Sequence, residues 1–193
     1  KGVQGHTAYP HLAVNPLVAT VLLMNALTQE NLDQGSEHFD PSTLAITTID
    51  TGNPANNVIP EKATATVNIR FNDNHTGDTL SSWLKSVSDE VSLKTGTEIV
   101  VDTHTAGESF LTSPGLLSNI VCKSIQQEIG VEPVLSTSGG TSDARFIKNV
   151  CPVVEFGLVG KTIHATDERV ELSQIYELKK IYSRILENYF AEI

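Results

Sequence analysis

His164 stands in Thr162-Ile163-His164-Ala165-Thr166-Asp167-Glu168, an imidazole followed closely by two carboxylates. A neutral imidazole is a good ligand for Zn²⁺, and an acceptor on its other nitrogen fixes the tautomer that faces the metal. Asp167 or Glu168 can be that acceptor, or either can cap the next helix. A catalytic zinc takes about three protein ligands and keeps one position open. His11, His38, His75 and His104 have no partners at ligand spacing and read as surface or loop residues. No HExxH, CxxC pair, phosphate-binding GxxxxGK or GxSxG occurs. A lone histidine is more often structural than a ligand, so spacing alone leaves both readings of His164 open.

Other residues carry weaker signals of the same kind. His6 lies in Gly5-His6-Thr7-Ala8-Tyr9-Pro10, a strand end running into a turn. Asn56 and Asn57 sit in a turn-rich stretch and suit turn hydrogen bonds. Arg70 ends an alternating run, as a solvated strand residue or as a planar fork for a carboxylate. Gly139-Gly140-Thr141-Ser142 opens a short helix. Glycines let a backbone approach closely and a helix N-terminus favours an anion, though Asp143 in the first turn is favourable there by itself.

The elements that position these residues follow from periodicity. Residues 1–6 read as a short strand. Leu17 to Leu27 is apolar on a helical period, with Asn15 as N-cap and Pro16 at the first position. A polar loop covers 31–41. Thr43–Ile49 and Lys62–Phe71 read as strands. A second amphipathic helix fits 77–94, with Leu80, Leu84, Val87 and Val91 on one face, and Thr97–Thr103 reads as a strand. The order β-α-β-β-α-β predicts a two-layer α+β unit, an antiparallel sheet with both helices on one face. Beyond it come a helix over 114–129, strands at Val134-Leu135 and Pro152–Phe156, a short helix between them, and a long helix over 172–192. These suggest part of an α/β domain whose sheet is too small to stand alone.

The 193 residues can hold one ordinary domain or two small ones. Formal charge is −10, from 13 basic and 23 acidic side chains. No basic cluster is present, so nucleic acid is not an expected partner. No apolar run is long enough for a membrane span, so no membrane partner is expected. Cys122 and Cys151 lie in apolar segments and are expected to be reduced and buried, which fits a cytoplasmic location.

Four patches together, in order, carry a resemblance: GVQGHTAYPHLAVNP at 2–16, NPANNVIPEKATATVNIRF at 53–71, SGGTSDARF at 138–146 and GKTIHATDERV at 160–170. They resemble the peptidase M20 family of metal-dependent amidohydrolases, through nearly the whole chain. The resemblance implies a lid or dimerisation domain over residues 1–110. It implies the closing segment of an incomplete α/β zinc-hydrolase catalytic domain over 111–193. It makes His164 the C-terminal metal ligand. It makes His6 a lid residue that crosses a homodimer interface to stabilise an oxyanion in the partner's site. Tyr9, Asn56, Asn57, Arg70, Gly140 and Thr141 are then expected to bind an anionic small-molecule substrate. The substrate class implied is an N-succinyl amide, with an N-acetyl amide as the alternative. Two zinc ions per site, or cobalt, are implied for the whole enzyme, and none in stoichiometric amount for this chain. Gly160 stands where the family often has Asn, a departure that touches one substrate contact.

The chain opens at Lys1 without Met, and the other ligands of the family site are absent. It is therefore expected to be the back portion of a larger enzyme and inactive by itself. The rival reading is a non-catalytic module whose one competence is dimerisation.

Overall fold

The computed structural model describes residues 1–29, 31–140 and 142–192. The chain divides into two compact units, Lys1–Ser109 and Phe110–Ile193.

In the first unit the helices begin and end where the local chemistry demands. α1 (Pro16–Gln29) starts as the Leu17 N–H donates to Asn15 Oδ1 at 2.9 Å, filling one of the donors a helix start leaves free. α2 (Gly77–Thr95) opens on a capping box. The Thr79 N–H donates to Thr76 Oγ1 at 3.2 Å and the Thr76 N–H to Thr79 Oγ1 at 2.9 Å. It ends at Gly96, whose φ of +67° is the left-handed C-cap that glycine adopts without strain. α1 packs on α2 and borders β2. Ala19, Met24 and Leu27 of α1 and Leu80 and Val91 of α2 are buried.

The strands form two small antiparallel sheets. β1 (Gly5–His6) pairs with β3 (Val58–Ile59), placing His6 opposite Val58. β2 (Thr43–Asp50) pairs with β4 (Thr64–Arg70), with Thr43 opposite Arg70. The register shifts between Ile46 and Thr48, and the bulged Thr47 hydroxyl donates to Thr66 O at 3.2 Å. The α+β character stands, but the strands are shorter than the apolar alternation suggests. Residues 1–6 are interrupted: Val3 bridges Val14 and only 5–6 form regular strand. Among the described residues the run 97–103 forms no ladder: Glu98 N–H donates to Lys1 O at 2.9 Å and the Lys1 backbone nitrogen donates to Glu98 O. β-branched side chains favour an extended backbone, but a strand is completed only by a ladder partner.

The loop over 31–42 is more ordered than its polar composition implies. Asp33 Oδ1 accepts from Gly35 N–H at 2.6 Å, from Asn72 Nδ2 at 2.6 Å and from Ser42 N–H at 3.2 Å. Its Oδ2 lies 3.1 Å from His75 Nε2. His75, which reads as a surface or loop residue in sequence, is thus part of a bonded network.

In the second unit α3 (Leu116–Ile129) and α5 (Leu172–Glu192) pack together. Val121, Ile125 and Ile181 form the buried cluster, with Leu117, Val154, Phe156 and Ile185 against it. Ser124 is fully buried, and its hydroxyl donates to Ile120 O at 2.7 Å while Asn188 Nδ2 donates to it at 2.9 Å. α4 is a single turn, Ala144–Ile147. The two expected strands, 134–135 and 152–156, have no ladder among the described residues. Val154 and Phe156 are held instead by packing and by the Tyr182 hydroxyl, which donates to Phe156 O at 2.6 Å. Val134 is 88% exposed for want of a sheet to cover it. The same lack corrects the expectation for the cysteines: both are free thiols, but Cys151 is exposed and Cys122 only half-buried.

Candidate functional site

Close backbone approach sets the position of His6. A Cβ on Gly5 would come within 2.7 Å of Ala13 Cβ, and one on Gly2 would overlap Val14 O. The first residues therefore lie flat against Ala13 and Val14, and β1 ends at His6. The chain turns there: the Tyr9 N–H donates to His6 O at 2.9 Å, and the Ala8 N–H donates to His6 Nδ1 at 3.0 Å. The Tyr9 ring stands edge-on to the imidazole, centroids 5.9 Å apart, and His11 stands edge-on to Tyr9 at 6.4 Å.

Asn57 joins this cluster through the backbone, its carbonyl accepting the Thr7 N–H at 3.0 Å. The turn before it is built by Asn53, whose Oδ1 accepts from Ala55 N–H at 3.2 Å while Nδ2 donates to Val58 O at 2.9 Å. Such side-chain turns are what Asn supplies. Asn56 and Asn57 are exposed at its tip. The structure thus brings His6, Tyr9 and Asn57 together. It places Arg70 elsewhere, exposed at the end of β4 away from β3 and opposite Thr43.

In the second unit His164 lies on a loop that closes on itself. The Thr162 hydroxyl donates to Arg169 O at 2.9 Å and accepts from Arg169 N–H at 3.0 Å. Glu168 Oε2 accepts the His164 backbone N–H at 3.2 Å, and Arg169 Nη1 donates to Asp167 O at 3.2 Å. Glu168 thus bonds the His164 backbone rather than its ring. His164 and Asp167 have φ of +59° and +60°, a left-handed backbone that costs a side-chain-bearing residue about 1–3 kcal/mol. The Thr162 clamp offsets that cost. Thr162→Val, which keeps the shape and removes the hydroxyl, is expected to raise amide exchange at Arg169 and His164 about tenfold, with Thr162→Ser near the original rate. Unchanged exchange in the Val variant would show that the loop does not depend on the clamp.

Gly139, at φ +101°, and the exposed Gly140 precede α4, while Thr141 lies outside the described residues. The Ser142 N–H donates to Glu155 Oε1 at 2.9 Å, so a carboxylate of the chain itself sits at this turn. Arg145 has no distinguishing spacing in the sequence. Among the described residues its buried Nε has no hydrogen-bond partner, and its guanidinium lies 5.0 Å from the centroid of the Phe146 ring. Its place in the SGGTSDARF patch was the signal for it.

His164 is one imidazole where a catalytic zinc takes about three protein ligands. Among the described residues no three His, Cys, Asp or Glu side chains gather as a metal site. The residues present therefore do not by themselves hold the metal that the resemblance implies. No helix of the described residues is long and apolar enough to cross a membrane.

Residues 1–95 match the model of the peptidase dimerisation domain of M20 type. Over 191 residues, 99% of the chain, the sequence is 60% identical to a succinyl-diaminopimelate desuccinylase of Cereibacter sphaeroides, and covers 50% of that protein. A succinyl-diaminopimelate desuccinylase of Ruegeria pomeroyi is 58% identical over 190 residues, 98% of the chain and 50% of the relative. The chain thus spans about half the length of the curated relatives it matches. Among solved structures, a tripeptidase from Staphylococcus aureus superposes with a TM-score of 0.75 at 21% identity, over 97% of this chain and 48% of that one. That likeness concerns the fold alone.

Proposed function

We propose that the chain, whose residues 1–95 match the M20 peptidase dimerisation domain, is the C-terminal half of a succinyl-diaminopimelate desuccinylase. The observation that carries this reading is the identity to such enzymes along almost the full length of the chain. The parent hydrolyses N-succinyl-LL-2,6-diaminopimelate to succinate and LL-2,6-diaminopimelate, in the cytoplasm. It uses two zinc ions per site, or cobalt, whose other ligands lie outside this chain, with His164 as one donor. Residues 111–193 are the closing segment of its catalytic domain, and this chain alone is inactive.

The first unit is the dimerising lid. Val18, Val21 and Leu22 are exposed on α1 beside β2, which pairs only with β4 among the described residues. A homodimer formed through this helix and strand buries that apolar face and carries His6 to the site of the other subunit. There His6 donates a hydrogen bond to the substrate oxygen as the amide carbonyl becomes tetrahedral. Asn56, Asn57 and Tyr9, close in sequence or space to His6, hold the adjoining polar groups of the substrate. Arg70, Gly140 and Thr141 bind its carboxylates, Arg70 from the far end of β4.

Turnover by the full-length parent tests the substrate. N-succinyl-LL-2,6-diaminopimelate is expected to be cleaved and N-acetylornithine left intact, with neither cleaved by the 193-residue chain. Cleavage of N-acetylornithine alone would make the parent a deacetylase of the same family.

A further inference from the structure

One nitrogen of His6 is already engaged. The Ala8 N–H donates to Nδ1 at 3.0 Å. A ring nitrogen that accepts a hydrogen bond carries no proton, so the hydrogen of the neutral imidazole sits on Nε2. The short turn that makes this bond is held on both sides. The Thr7 N–H is tied to Asn57 O and the Tyr9 N–H to His6 O. Behind His6, the packing of Gly5 on Ala13 limits movement of β1.

We propose that the Ala8 N–H is a positioning group that locks His6 in the Nε2–H tautomer, making Nε2 the atom that donates to the reacting oxygen. An imidazole free to exchange tautomers would present a lone pair to the developing negative charge for part of the time. With Nδ1 accepting, the favoured neutral imidazole carries its donor on Nε2, and the ring plane is set by the turn. A pre-set donor needs no reorganisation as charge develops. The catalytic half of this inference rests on the proposed amide hydrolysis; the tautomer rests on the hydrogen bond alone.

The two halves are tested separately. In the 193-residue chain labelled with nitrogen-15, a through-bond coupling is expected between the Ala8 amide nitrogen and His6 Nδ1. Nδ1 should resonate as an unprotonated ring nitrogen, and the signal is assigned by its loss in His6→Gln. In the full-length parent, Ala8→Pro deletes the N–H and is expected to lower kcat about tenfold with KM within about twofold, the effect of losing an outer partner that orients a histidine. Ala8→Gly keeps the N–H and should keep both the coupling and kcat. A protonated Nδ1 without coupling to Ala8 overturns the lock, whatever the enzyme variants do. Equal losses of kcat in Ala8→Pro and Ala8→Gly overturn the N–H as their cause. The coupling present, but kcat unchanged in His6→Gln, overturns the catalytic half and takes the proposed role of His6 with it.

Discussion

Replacing His6 by Ala in the full-length parent is expected to lower kcat by roughly 10²–10³-fold and leave KM little changed, the loss that follows removal of one oxyanion donor. The reason for so large an effect is timing. A donor aimed at the oxygen only as it gains charge stabilises the transition state more than the bound substrate, so its loss appears in kcat. The same substitution tests where the residue acts. In a dimer whose sites each borrow His6 of the partner subunit, a His6→Ala subunit and a His164→Ala subunit each lack a different part. Mixed dimers of the two contain one complete site. Random exchange of equal amounts makes half the dimers mixed, so activity should return to about a quarter of the unmutated value. Mixing without recovery would place His6 in the site of its own subunit and remove dimerisation from the mechanism.

The second large effect is on stability. Asp33→Ala is expected to destabilise the first unit by about 3 kcal/mol, a fall of roughly 10 °C in melting temperature. The Asp33 side chain is only 8% exposed, and Asn72 is 3% exposed. Removing the carboxylate strands the donors on Gly35, Ser42 and Asn72, where water reaches poorly. Burial pushes the Asp33 carboxyl up, but hydrogen bonds from the Ser42 side chain, the Gly35 N–H, the Asn72 amide and the Ser42 N–H outweigh it. The carboxyl is held well below the usual carboxylate range. A carboxyl whose folded value is depressed stabilises the fold fully above its unfolded value, near pH 4, and loses that contribution as pH falls through the folded value. The gap between the original chain and Asp33→Ala should therefore be widest at neutral pH and shrink below about pH 4. Urea unfolding at neutral and acid pH measures it, and a gap independent of pH would show that the charge is not the stabilising feature.

These two residues also mark how much was legible from the chain. Helix limits were, because periodicity and a cap such as Asn15 before Pro16 act within a few residues, and the structure caps α2 and α3 near the expected ends with Thr76, Gly96 and Gly130. His6 and Asn57 were legible as separate patches, but their meeting depends on the pairing of β1 with β3 across some fifty positions. Asp33 looked like one polar residue in a polar loop. Its Asn72 and His75 partners lie 39 and 42 residues away, beyond the reach of any periodicity. The β-branched runs at 97–103 and 152–156 misled for the opposite reason. Alternation and branching describe a side chain's preference for extended backbone, while a strand also needs a neighbour, and among the described residues Glu98 bonds Lys1 while Val154 has no ladder partner.

The Thr47 bulge bears on how many copies of the protein can join. A straight edge with an unbroken row of amide groups is a template: each copy added offers the same edge again, and growth continues into a fibre. The bulge interrupts that row midway along β2, leaves one residue out of step and increases the local twist. Strands meeting along β2 cannot remain flat and in register for its full length. In the proposed homodimer, a bulge there would favour a closed pair of strands over open-ended stacking.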